Sequence, residues 1–224
     1  STYGNLPWAF MSLLYGAGGT LENDMDDLTK DVWRKPMQKL KDAYDTGVVA
    51  PMDVDGEQAF GSGKAVFAQL GTWAQGNMSD TLGADKIAEA NTLQYDADNP
   101  VNFFYQCNWM QLKDPHRSAA KSAAAADFVN YVYEHWMDWS EVGSISPAYR
   151  DLNNPEYQKL IQASFTNGKK ERDAIKTSNY LYGGYATAGW GTYNDIVYGN
   201  VGLEEGLKTL DLMAQGQIEI QEES

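Results

Sequence analysis

Two kinds of residue along this chain have the types and spacing for chemistry: a lysine set among glycines, and tryptophans set near glycines. In "EQAFGSGKAVFAQLGTWAQG", residues 57 to 76, Lys64 follows Gly61, Ser62 and Gly63. A phosphate-binding loop needs Gly, four residues, then Gly-Lys-Ser/Thr, so that backbone N–H groups surround the phosphates and a hydroxyl holds the metal. Gln58 stands where the first glycine belongs and Ala65 where the hydroxyl belongs. Gly61 and Gly63 are therefore read as a helix-to-strand turn.

The other reactive residues are sparse. His116 and His135 lie too far apart for ligand spacing, and Cys107 is the single cysteine, which excludes an internal disulfide and any cysteine-based zinc site. No Gly-x-Ser-x-Gly elbow or His-Glu-x-x-His helix occurs. "DVDGE" at 53 to 57 places its glycine fourth, where a calcium loop requires the sixth position. No catalytic residue, metal or cofactor is expected. A glycosidase pair remains open, because it needs two carboxyl groups at a separation that spacing along a chain does not give. Trp8, Trp73 and Trp190 offer a different chemistry: sugars stack their C–H faces on such rings and pair their hydroxyls with polar neighbours, with no proton transfer.

Composition narrows the partners. Of 224 residues, 43% are hydrophobic and 21% charged, enough for a sizeable core, and no apolar run approaches the roughly 18 residues of a membrane span. The net charge of −14 repels a phosphate backbone, so nucleic acid is excluded as a partner. The chain starts at Ser1 without methionine, charged n-region or apolar h-region. It reads as a fragment whose export signal has been removed or lies upstream.

The elements that position these residues are legible in part. Trp33, Met37, Leu40 and Tyr44 share one face of a helix predicted from about Arg34 to Thr46, with Pro36 in its first turn and Gly47 as its stop. Asp55 followed by Gln58 predicts a capping box opening a short helix, and "KAVFAQL" a buried strand ending at Gly71-Thr72-Trp73. Just past a strand's carboxyl end, Trp73 either faces a ligand or packs under the next helix. "NPVNFFYQCNWMQLKDP" is a second strand candidate. A helix from about Arg117 to Trp139 carries Ala125, Val129, Val132, Trp136 and Trp139 as a stripe expected in the core. Leu203, Leu207, Leu210 and Ala214 define a closing helix, with Glu204 and Glu205 at its positive end.

These segments occur in a familiar order. "NLPWAFMSLLYGAGGTL" at 5 to 21, "DAYDTGVVAP", "AFGSGKAVFAQLGTW" at 59 to 73, a strand, Asp114-Pro115 and a long alanine-rich helix together resemble the extracellular solute-binding proteins, family 1. These are the sugar-capturing components of ABC importers, and maltose-binding protein is one of them. The resemblance spans nearly the whole chain. It implies an α/β fold of the periplasmic-binding-protein-like type II, helix-rich, mostly the C-terminal lobe with part of the N-terminal lobe. Residues 1–100 and 175–224 would form the C-terminal lobe; 101–174 would contribute to the N-terminal lobe, whose remainder is missing upstream.

The resemblance also implies a site. Trp8 is similar to the aromatic that follows a proline at the start of a C-lobe helix, Trp73 to the aromatic of the Gly-x-Trp turn, and Trp190 to the late aromatic heading the penultimate helix, all of which stack on sugar. Asn108 falls at the interlobe crossing, where many members carry a small residue such as glycine, and is the polar ligand-binding candidate. Leu6 stands where maltose-binding protein has an acid that bonds sugar hydroxyls, so the same ligand is not implied. The implied partners are a sugar or oligosaccharide and permease subunits, with the protein a monomer outside the cytoplasmic membrane. Two other readings fit the same residues: a glycoside hydrolase or other carbohydrate-active fragment, and an α/β interaction domain whose tryptophans are all core.

Overall fold

Caps and apolar spacing decide where this chain turns helical. The computed structural model describes residues 6–90, 93–98, 100–101, 111–141, 151, 153–163 and 191–222, the side chains of 6–9 and 221–222 excepted. The chain divides into two units, Ser1–Leu70 with Ala90–Phe104 and Gly168–Ser224, and Gly71–Glu89 with Tyr105–Asn167.

The first unit is built on α1 (Leu6–Gly16), α2 (Leu21–Asp24), α3 (Asp31–Asp45), α4 (Gly56–Gly61), a helical stretch over 191–197 (α8) and α9 (Leu203–Glu222). The α3 stripe is buried as its spacing predicts: Trp33, Met37 and Leu40 enter the core and Tyr44 packs at its margin. Phe10 of α1 stacks on Trp33 with ring centroids 5.5 Å apart and also meets Tyr193 of α8 at 5.4 Å. Trp33 satisfies its buried N–H by donating to the Asp24 carbonyl at 2.7 Å. The helix begins at Asp31, so Pro36 sits past the first turn, where its missing N–H removes one helical bond.

Leu207, Leu210 and Ala214 bury the inner stripe of α9 in the same core. Polar contacts hold the helix there. The Asp211 carboxylate accepts from the Leu28 N–H at 3.0 Å, Gln215 donates to the Met25 carbonyl at 2.6 Å, and Glu204 binds the Arg34 guanidinium through two oxygens at 2.6 and 3.1 Å. That fork lowers the Glu204 carboxyl pKa and raises the Arg34 pKa, charge-assisted hydrogen bonding being the first cause in both.

In α4, the Asp55 carboxylate caps the Gln58 N–H at 2.7 Å. The helix stops in a Schellman turn: the Gly63 N–H donates to Phe60 O and the Lys64 N–H to Ala59 O, both at 2.9 Å. Gly63 takes φ +72°, which a side chain resists. The glycine-lysine cluster is thus a helix stop that needs no ligand.

The expected α/β architecture is overturned. Among the described residues the regular elements are helices, with no strand and a single isolated bridge position at Ala68. The periplasmic-binding-protein-like type II arrangement requires a sheet, and the described residues hold none. "KAVFAQL" leaves the Schellman turn as irregular chain, with Val66 78% and Phe67 73% exposed. An apolar run becomes a strand only when a neighbouring chain supplies its ladder of hydrogen bonds. The second strand candidate lies outside the described residues from 102 to 110, and 111–114 are irregular.

The second unit holds α5 (Gln75–Leu82), α6 (Ala119–Glu134), α7 (Trp136–Glu141) and a 3₁₀ turn at Tyr157–Lys159. Ser118 caps α6 by accepting from the Lys121 N–H at 3.3 Å, and His135 breaks the single long helix expected here into two. The stripe assigned to the core is not buried. No residue of α6 is buried, and Val129 and Trp139 are exposed along with Phe128 and Tyr131. Packing in this unit centres on Tyr157 and Ala163, with Trp136, Met137 and Leu160 against them and Trp136 edge-on to Tyr157 at 6.1 Å.

Candidate functional site

The chain enters the Gly-Thr-Trp turn extended, with Gly71 at φ −86° and ψ 164°, then winds through one 3₁₀ turn, Thr72–Ala74, directly into α5. The Ala74 N–H donates to Gly71 O at 3.0 Å, closing the turn. Ala74 is buried and anchors it, while Trp73 stands 54% exposed.

The indole lies back across the glycine. A methyl group on Gly71 would overlap the six-membered ring of Trp73, so only glycine permits this seat. The start of α5 is tied down by a polar chain: Gln75 donates to Gln162 Oε1 at 3.1 Å, and Gln162, itself buried, donates to Ser140 O at 2.5 Å. Trp73, 54% exposed as a residue and with its indole lying against Gly71, offers aromatic surface for stacking on a flat apolar face such as the C–H face of a sugar.

Of the ligand-binding candidates Trp8, Trp73, Asn108 and Trp190, Trp73 alone has a described side chain. Trp8 lies on the backbone of α1, in the first unit; its ring is among the side chains not described. Asn108 and Trp190 fall outside the described residues.

Sequence reasoning missed two features. On the first unit, Lys35, Gln38, Lys39 and Asp42 of α3 line a shallow groove of about 540 Å³ closed on its other side by Tyr95, Asp96 and Ala97. Lys39 donates to the Tyr95 carbonyl and stands 5.0 Å from the centre of its ring, a cation–π contact that props the groove wall. The four α3 residues recur at helical spacing and were legible as its polar face; Tyr95 arrives from a distant loop, and no local pattern announces it. In the second unit, burial pushes the Glu89 carboxyl up to about 7 from an ordinary 4.5. Nothing in "DKIAEAN" marks that glutamate before the chain folds.

Among the described residues no group of three or more His, Cys, Asp or Glu is arranged to hold a metal, and no helix is long and apolar enough to cross a membrane. Comparisons with protein-family models, with curated proteins and with solved structures return no match for this chain.

Proposed function

We propose that this chain is the substrate-binding component of an ABC importer, capturing a sugar or oligosaccharide without catalysis, outside the cytoplasmic membrane, and passing it to permease subunits. The observation that carries the reading is the exposed Trp73 indole held on Gly71 at the head of α5. The order of segments that resembles the solute-binding family supports it. The reading does not depend on a sheet among the described residues, because stacking requires an accessible aromatic ring and not a particular scaffold.

The test is calorimetric titration of the protein and of Trp73→Ala with a panel of mono- and oligosaccharides. One stacked aromatic contributes on the order of 1 kcal/mol beyond its buried area, so affinity for a bound sugar should fall at least about 5-fold in the variant. Unchanged affinity for a confirmed ligand removes Trp73 from the site. No binding to any sugar removes the reading itself.

A second reading, glycoside hydrolysis, has one candidate general acid in Glu89, whose carboxyl pKa burial raises to about 7, and requires in addition a second carboxyl group roughly 5 to 9.5 Å from it. Release of reducing ends from any glycan in the panel, lost in Glu89→Gln, would replace capture by turnover.

A further inference from the structure

Helix α9 carries two apolar stripes, and the first unit uses only one. Leu207, Leu210 and Ala214 face the core. On the opposite side Leu212, Gly216 and Ile220 follow one another four residues apart, with Met213 beside them. Leu212 is 74% exposed, Met213 45% and Ile220 61%. Among the described residues no atom outside the helix's own backbone lies within 4 Å of the side-chain position of Gly216, so a notch separates two protruding aliphatic side chains. Two large aliphatic residues on one ridge, flanked by Met213, whose sulfur accepts from the Thr192 hydroxyl at 3.8 Å, form an apolar surface that a second helix would cover.

We infer that the outer stripe of α9 pairs antiparallel with the same stripe of a second copy of this chain. Charge complementarity along the helix points to that occupant. A pairing that seats Leu212 of each copy over Gly216 of the other is centred at the height of residue 214. It brings Lys208 of each copy within reach of Glu219 of the other, on the same flank of the stripe. The two-fold relation repeats each contact, so one leucine-into-notch fit and one ion pair each occur twice. In that register residues 206–222 of the two helices overlap over about 25 Å, which places the contact at the low end of specific interfaces. The result is a weak, concentration-dependent dimer in place of the monomer that the sequence resemblance implies. With −14 on each copy, association strengthens as added salt screens the repulsion between them. This inference is independent of any solute the protein binds.

Sedimentation equilibrium tests it, from about 10 µM to about 500 µM protein in roughly 0.5 M salt, where a weak contact populates and charge repulsion is screened. The parent should pass from monomer to dimer, and Leu212→Glu should weaken association by at least about 10-fold at unchanged far-ultraviolet dichroism. Lys208→Glu should weaken it as well, and Lys208→Glu with Glu219→Lys should restore it. A protein that stays monomeric throughout overturns the inference, as does a dimer indifferent to Leu212→Glu. A charge-reversed double variant no better than the single one overturns the antiparallel register.

Discussion

Two glycines in one helix should respond in opposite directions to the same substitution. Gly206 and Gly216 both lie inside α9, where glycine loses more backbone entropy on folding than alanine, so either change to alanine gains roughly 0.5–1 kcal/mol from the backbone. At Gly216 the new methyl meets no atom of the described residues within 4 Å beyond the helix's own backbone, and the gain stands in full. At Gly206 the methyl would overlap Cγ1 of Ile196, lie 2.6 Å from its Cδ1 and 3.1 Å from Cγ2 of Val201. Ile196 is fully buried on α8 and packs in the core, so it cannot turn aside without displacing its neighbours. Forcing a methyl into such a contact costs about 1–3 kcal/mol, which outweighs the backbone gain and leaves Gly206→Ala about 1 kcal/mol less stable than the parent. The two variants should therefore differ by about 2 kcal/mol, or roughly 4–8 °C in melting temperature for a chain of this size. Urea unfolding followed by far-ultraviolet dichroism measures this, at low micromolar protein so that contacts between copies do not contribute, with equal slopes confirming a common unfolded state. Stabilisation of Gly206→Ala to the same extent as Gly216→Ala would refute the close approach of α9 to α8.

Two further outcomes follow from the site. Gly71→Ala should lift the Trp73 indole from its seat; the difference in fluorescence between Gly71→Ala and Gly71→Ala with Trp73→Phe isolates that ring, and a Trp73 contribution identical to the parent's would show that the glycine does not hold it. Glu89 has a folded pKa raised to about 7 from 4.5, so between those values the native state binds more protons than the unfolded chain, and stability falls as pH climbs through that window. Glu89→Gln should match the parent near pH 4 and exceed it above pH 7, and parallel melting-temperature profiles from pH 4 to 8 would exclude Glu89 as the source.

Much of the helical framework is legible without coordinates, because it is decided within a few residues. Trp33, Met37 and Leu40 share a helical face by spacing alone, Asp55 caps by reaching three residues ahead, and Gly63 stops α4 because left-handed backbone costs glycine least. The inner stripe of α9 follows from the same periodicity. Whether a stripe meets anything is a different matter. Ala125, Val129 and Val132 repeat as regularly as the α3 stripe, yet none of α6 is buried, since periodicity says which residues share a face and not what covers it.

Strand assignment failed for a related reason. "KAVFAQL" has the composition of a buried strand, but a strand exists only through hydrogen bonds to another segment, and the partner is not written in the run itself. The site divides along the same line. The Gly-Thr-Trp turn, and the type of contact a tryptophan makes, are local properties read from three consecutive residues. That Gln162 and Ser140 brace the helix behind the indole, and that Glu89 is buried enough to hold its proton near neutrality, depend on residues distant along the chain or on solvent exclusion. Hydrogen bonds and steric preferences between near neighbours are present in the polypeptide before it folds; burial and contact between distant segments arise only when folding brings them together.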